Sequence, residues 1–111
     1  LAIHGALYGP QHPFVASALL GLGRVALAEK QPGRARPLVE QAVAIRQKSG
    51  VDRIEVARAE AALGQALLAL DVERERGRQL LVGARAVFVA EGPIARMDLA
   101  ALEPWDPRLA K

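Results

Sequence analysis

A 42-residue repeat is the feature that most constrains what this chain can fold into. Three similar stretches, "LAIH" at residues 1–4, "VAIR" at residues 43–46 and "RAVF" at residues 85–88, recur at that interval. A second series matches "ALLGLGRVAL" at residues 18–27 with "EAALGQALLAL" at residues 60–70. Self-similarity at such a period indicates a repeated unit that buries its apolar face only by stacking on its neighbours.

The repeated unit is predicted to be a pair of helices. Apolar residues recur at i, i+3, i+4 and i+7, and no segment shows the two-residue alternation of a strand. Half of the residues are apolar but only 4% are aromatic, so the apolar content is mostly Ala, Leu and Val, which favours closely packed helices. The predicted helices run from Pro13 to about Lys30, from about Arg34 to Ser49, from Asp52 to about Leu70, from about Asp71 to Glu91, and from about Ile94 to Glu103.

The fold class is therefore all-α, built from stacked helix pairs. We expect a single domain over residues 1–111, with two full helix pairs, half of a preceding pair and a C-terminal capping helix. Its predicted divisions are residues 1–9, the end of a preceding repeat; 10–50 and 51–92, the two full repeats; and 93–111, the capping helix and tail. The chain lacks an initiator Met, and we expect it to begin inside a repeat of a longer array.

Local signals refine these helices. The first helix is expected to face inward through the stripe Val15, Ala18, Leu19, Leu22, Val25 and Ala26. Pro37 is predicted near the first turn of the second helix, where proline is best tolerated. Asp52, with Glu55 three residues on, predicts a capping box at the start of the third helix. Trp105 is expected to fold back over the apolar end of the last pair, with an interface anchor as the alternative.

Catalysis, metal binding and cofactor binding have little support. The absence of Cys excludes disulfides and thiolate ligands. His4 and His12 have no nearby third ligand, and neither Ser17 nor Ser49 has a His within helical reach. The arginines of "VERERGR" alternate with glutamates and lack an aromatic platform, which disfavours nucleic acid despite the net charge of +3. The longest apolar stretch is interrupted by Arg24 and is too short to cross a membrane. The chain is predicted to be no enzyme and to carry no cofactor.

Small residues at fixed places then point to a family. Leu22-Gly23 is followed by Ala35 and Ala42; Leu63-Gly64 is followed by Gly77 and Ala84, with one extra residue in the turn. This arrangement resembles the tetratricopeptide repeat, and the resemblance implies that the helix pairs stack into a right-handed α-α superhelix. Residues 9–47 resemble the 42-residue variety of kinesin light chains, whereas the second pair lacks the His-Pro of its linker. The order of repeats and the Trp-containing end also resemble C-terminal tails of bacterial serine/threonine kinases, although no kinase motif is present.

The resemblance implies a non-catalytic protein-interaction module, located in the cytoplasm, that holds a peptide or protein segment in a concave groove. The groove would be lined by the first helix of each pair, through Ser17, Leu20, Arg24, Leu27, Arg58, Ala61, Gln65 and Leu68. Arg24, Arg58 and Gln65 would serve as polar contacts for a segment carrying acidic residues. Asparagines expected on this helix in peptide-binding relatives are replaced by Leu20, Gly21, Ala61 and Ala62, which favours apolar contact.

Three alternatives stay open for the segment. It could bind a partner, act as a regulatory tail that docks on a kinase domain of the same protein or recruits its substrates, or serve as a spacer without a ligand. An array this short is also expected to expose an apolar edge at its N-terminal end and to self-associate there.

Overall fold

The computed structural model describes residues 13–49 and 52–105, and within them every regular element is helical. The elements are α1 (Pro13–Ala28), α2 (Pro32–Ser49), α3 (Arg53–Leu70), α4 (Arg74–Glu91), a 3-10 turn (Gly92–Ala95), α5 (Arg96–Leu102) and a second 3-10 turn (Glu103–Trp105). The all-α prediction is confirmed. The predicted end of a preceding repeat and both histidines lie outside the described residues.

The four long helices pack in sequence as two stacked pairs. Helix α1 packs on α2 and α3 packs on α4, while α2 also packs along α3 and joins the pairs. Short α5 follows α4 and closes the second pair. This is the architecture of a tetratricopeptide-like helical solenoid.

The turns inside the two pairs share one backbone conformation. Lys30 after α1 and Asp71 after α3 both adopt left-handed φ angles, 61° and 59°. The next amide in each turn donates back to the helix, from Gln31 N to Ala26 O and from Val72 N to Leu67 O, at 2.8 and 3.1 Å. These bonds satisfy carbonyls at the helix ends. The second turn also contains Glu73 at φ 44°, the extra residue expected from the sequence.

Two predicted helix starts and one predicted cap need correction. Helix α4 begins at Arg74 rather than near Asp71, because Asp71 and Glu73 adopt left-handed φ angles in the preceding turn. Helix α2 begins at Pro32 rather than near Arg34, because proline is well suited to the first helical position, and this leaves Pro37 inside the helix. Asp52 precedes α3 as expected, but its side chain makes no capping hydrogen bond, so the capping-box prediction is wrong. The carboxylate of Glu55 instead pairs with Arg46 and Arg58, at 3.4 and 3.1 Å.

Small residues let the helices of each pair approach closely. A Cβ added to Gly64 on α3 would lie 2.8 Å from the backbone oxygen of Gly77 on α4, so the two backbones nearly touch. A Cβ added to Gly23 on α1 would meet a methyl group of Val39 on α2. These contacts confirm the predicted role of the Leu-Gly motif.

Two apolar clusters form the core. The first joins α1, α2 and α3 around Leu19, Val39 and Leu63; the second joins α3, α4 and α5 around Leu81, Phe88 and Leu102. The predicted inward stripe of α1 is wrong at two positions, since Leu22 and Val25 are 48% and 53% exposed. They border an open cleft beside Pro37 and Leu38 of α2, whereas Ala16, Leu20 and Gly23 are buried.

Candidate protein-binding groove

An open cleft of about 560 Å³ lies between α1 and α3, on the face that the sequence predicted to bind a partner. We call it the main cleft. Its walls come from the ends of α1 and α3, from the turn into α2 and from the C-terminal segment. They comprise Arg24, Leu27, Ala28, Lys30, Pro32, Gln65, Ala69 and Trp105. A cleft of this size, mainly apolar with a few polar groups, is typical of ligand sites.

A smaller cleft of about 250 Å³ adjoins the main cleft, and Arg24 and Gln65 line both. Helix α5 forms one wall of this smaller cleft through Met97, Asp98 and Ala101, opposite residues of α3. Helix α5 thus lies beside the face shared by α1 and α3, and it reduces the open area of that face at the second repeat.

The structure brings only part of the predicted groove together. Arg24, Leu27 and Gln65 line the main cleft, while Arg58 and Ala61 line the smaller one. Ser17 is exposed on α1 and accepts a hydrogen bond from Arg46 Nη2 at 3.4 Å.

Two predicted groove residues face the interior instead. Leu20 is only 4% exposed, within the first apolar cluster. Leu68 lies towards α4, where its Cγ would be 3.3 Å from a Cβ at Gly77. Their side chains therefore contribute to the core rather than to the open surface.

Arg58 is held by an ion pair that the sequence did not predict. Its Nε lies 3.1 and 3.2 Å from the two carboxylate oxygens of Asp98 on α5, and its Nη2 lies 3.1 Å from Oδ2. Its Nη1 also lies 3.1 Å from Oε1 of Glu55. The hydrogen bonds to Asp98 are the main cause of the raised pKa of Arg58. Arg58 thus fastens α5 to α3, and its charge is already balanced.

A second arginine, Arg46, is buried beneath this face at 6% exposure. Its Nη1 donates to the backbone oxygen of Glu55 at 2.7 Å and its Nη2 lies 3.4 Å from the Glu55 carboxylate. Burial is the main cause of its lowered pKa, and Glu55 opposes that effect. Arg46 joins α2 to the start of α3, so its role is structural.

Arg24 and Lys30 differ from these two arginines. Both are exposed on the rim of the main cleft, and neither has an ion-pair partner among residues 13–49 and 52–105. Within the described residues, no acidic side chain neutralises these two cations of the main cleft.

Sequence reasoning missed Lys30, Pro32 and Asp98. The first two belong to the turn between helices, which the groove prediction did not consider. Asp98 lies 40 residues from Arg58, and no local pattern signals such a pair. Trp105 packs against the second apolar cluster, as expected for a closing residue, and it also forms a wall of the main cleft.

Residues 13–49 and 52–105 contain neither a candidate metal site nor a candidate membrane span. That part of the chain gathers no three His, Cys, Asp or Glu side chains that could hold a metal ion. None of its helices is long and apolar enough to cross a lipid bilayer.

Stacked helix pairs with an open cleft on one face define an α-α repeat protein. The tetratricopeptide repeat model matches residues 1–48, a stretch that includes α1 and nearly all of α2, and this match supports a tetratricopeptide repeat in that part of the chain. Repeats of this family generally mediate protein–protein interactions and are typically non-catalytic. Neither a curated protein nor a solved structure matches the chain.

Proposed function

We propose that this chain is a protein-interaction module that binds a peptide or protein segment in the main cleft. The observation that carries the proposal is Arg24, at the rim of an open, mostly apolar cleft between α1 and α3 and without an ion-pair partner in the described part of the chain. Apolar walls supply contact area and this cation supplies a preference for acidic residues. The family match to residues 1–48 supports the same role.

The test is selection from a library of random 12-residue peptides displayed on phage. Peptides enriched on the full chain are synthesised, and their affinities are measured by isothermal titration calorimetry against two variants. Ala69→Glu fills the main cleft and adds a negative charge. Its matched control, Ala44→Glu, makes the same change at an exposed alanine of α2 outside both clefts.

We expect the Ala69→Glu variant to lose binding at least about tenfold and the Ala44→Glu variant to keep it, because only the first blocks the cleft. Equal affinity for both variants would place any binding elsewhere on the molecule. A selection that enriches no peptide would contradict the proposed function itself.

An alternative and more specific role is that of a tail of a bacterial serine/threonine kinase, which would bind through the same main cleft. The segment in the cleft would then come from a kinase domain of the same protein or from a substrate that the tail recruits. This role rests on the resemblance of the repeat order and of the Trp-containing end to the C-terminal tails of such kinases. A cytoplasmic location is proposed from the same resemblance. The 42-residue type of repeat found in kinesin light chains is also proposed from a sequence resemblance, that of residues 9–47.

Self-association through α1 is a further proposal. Leu22 and Val25 are exposed, yet the matching positions of the second repeat, Leu63 and Ala66, are completely buried beside α2. The exposed face of α1 also forms a small cleft of about 270 Å³ with Pro37 and Leu38. A second copy could cover this face with a helix, as α2 covers α3.

A further inference from the structure

We infer that two copies of this chain associate face to face through α1 and α2, around a two-fold axis that runs between these two helices. In this dimer, α1 of each copy lies along α2 of the other, and Glu29 of each copy pairs with Arg34 of the other. The inference rests on the self-association proposed above and names its partner surface, its symmetry and its ion pairs. It does not depend on peptide binding in the main cleft.

The centre of the inferred interface is the small cleft between α1 and α2, which we call the edge cleft. Leu22 and Val25 line it from α1, and Pro37 and Leu38 line it from α2. Leu22, Val25 and Pro37 are exposed, although all three are apolar. Exposed apolar side chains gathered at one place are typical of a surface that contacts another protein.

One acid and one base also border the edge cleft, and both are exposed. Glu29 directly follows α1, and Arg34 lies in the first turn of α2, where its Nη1 donates to Oε1 of Gln31 at 3.4 Å. Neither Glu29 nor Arg34 forms an ion pair within residues 13–49 and 52–105. A surface that carries one charge of each sign, with neither neutralised, is complementary to a second copy of itself.

The side of α2 that faces the second repeat behaves differently. There, Arg36 pairs with Glu73, and Arg76 Nη2 lies 2.9 Å from Oε1 of Glu40. These ion pairs join α2 to the second helix pair within one chain. Arg34 instead borders the edge cleft, where no acid of the described residues neutralises it. The charge pattern therefore assigns one side of α2 to the fold and the other to an intermolecular contact.

The antiparallel packing of α1 and α2 sets which residues would meet in the dimer. Glu29 and Arg34 lie beside the turn that joins the two helices, and Val25 and Leu38 lie about one helical turn further from it. A two-fold axis parallel to the helices exchanges α1 with α2 and preserves the distance of each residue from the turn. It therefore places Glu29 opposite Arg34 and Val25 opposite Leu38 in one register.

A head-to-tail array is the competing arrangement. In that array the far end of one copy, where Val89, Ile94 and Met97 are exposed, would cover α1 of the next copy. Such contacts join two different surfaces and leave a further surface open for another copy, so association does not stop at a dimer. The edge cleft carries its own complement in both charge and apolar surface, which favours the closed dimer.

Charge reversal tests the ion pairs, with association measured by sedimentation velocity on the full chain over a range of concentrations. The original chain should dimerise. Glu29→Arg and Arg34→Glu should each weaken dimerisation at least about tenfold, because each replaces two attractive contacts by two repulsive ones.

Mixing the two single variants separates an ion pair from a general effect of charge. In the mixed dimer, Arg at position 29 of one copy faces Glu at position 34 of the other, and the second contact joins the original Arg34 to the original Glu29. An equimolar mixture should therefore dimerise within about threefold of the original chain. The double variant Glu29→Arg/Arg34→Glu should dimerise equally well, because both of its contacts are attractive again.

Arg96→Glu and Glu103→Arg are matched controls, since they reverse exposed charges of the C-terminal segment away from the edge cleft. Each should leave dimerisation within about twofold. All of the substituted side chains are exposed, and circular dichroism confirms that each variant keeps its helix content.

Two results would overturn the inference and leave self-association through α1 standing. One is association that Leu22→Glu abolishes but both charge reversals leave unchanged, and the other is a mixture of the single variants that fails to recover. Association that continues beyond the dimer would indicate the head-to-tail array and would also overturn the inference. A chain that stays monomeric up to about 1 mM would refute the inference and self-association together. Peptide binding in the main cleft is tested separately by Ala69→Glu.

Discussion

Replacing Gly64 by alanine should push apart the two helices of the second pair. The added Cβ would lie 2.8 Å from the backbone oxygen of Gly77 and 2.8 Å from Cγ of Leu81, well inside ordinary van der Waals contact. The oxygen belongs to the backbone of α4, so relief requires the helix to move. Overpacking of this kind costs about 1–3 kcal/mol. The same substitution gains about 0.5–1 kcal/mol from helix propensity.

Gly83→Ala is the matched control, because a Cβ at that position on α4 meets no atom within 4 Å. Both glycines lie inside long helices, so the gain in helix propensity is common to the two variants. Their difference in unfolding free energy therefore isolates the packing cost. We expect Gly64→Ala to be less stable than Gly83→Ala by about 1–3 kcal/mol.

Urea unfolding followed by circular dichroism measures this difference. With a urea dependence of about 1–3 kcal/mol per molar, the midpoints of the two variants should differ by about 1 M. The Gly83→Ala variant should be slightly more stable than the original chain. If Gly64→Ala were as stable as Gly83→Ala, close backbone approach would not explain the glycine, and the account of the Leu-Gly motif would be refuted.

Three further predictions concern ion pairs and the exposed face of α1. Asp98→Asn should lower stability by about 1–2 kcal/mol, because Arg58 loses charged hydrogen bonds that fasten α5; urea midpoints measure it, and an unchanged midpoint contradicts it. Hydrogen bonds from Arg76 hold the pKa of Glu40 below its usual 4.5, so ionised Glu40 stabilises the fold above pH 4.5 and this part is lost as pH falls through the lowered pKa. Glu40→Gln should therefore show a smaller loss of stability than the original chain between neutral pH and about pH 3. Leu22→Glu should reduce self-association in sedimentation velocity, whereas the exposed-alanine change Ala44→Glu should not.

Much of the fold could be predicted from the sequence, because helix periodicity and the Leu-Gly motif depend on residues that are close together in the chain. The helix-period spacing of Leu, Ala and Val located all four long helices, and the Leu-Gly motifs correctly indicated where helices approach each other. Errors arose where two local signals competed. Pro32 started α2 earlier than the apolar pattern suggested, and Glu55 paired with arginines instead of capping α3.

The candidate groove was less predictable. Periodicity names the residues that share a helix face, but it does not say which neighbouring helix covers that face. Leu22 and Val25 fitted the inward stripe of α1, yet the described structure leaves them exposed. Leu20 and Leu68 fitted the groove, yet one lies in the core and the other lies towards α4.

The sequence by itself determined the stacked helix pairs. The 42-residue period defines the repeated pair, and small residues at fixed places let neighbouring helices pack closely. Only the tertiary structure decided which charges remain available. The sequence predicted the same role, a polar contact of the groove, for Arg24 and Arg58. In the structure, Asp98, 40 residues further on, neutralises Arg58, whereas none of the described residues pairs with Arg24. Pairing over that separation depends on how α5 packs across α3. The same packing places Trp105 in the wall of the main cleft, which Arg24 also lines.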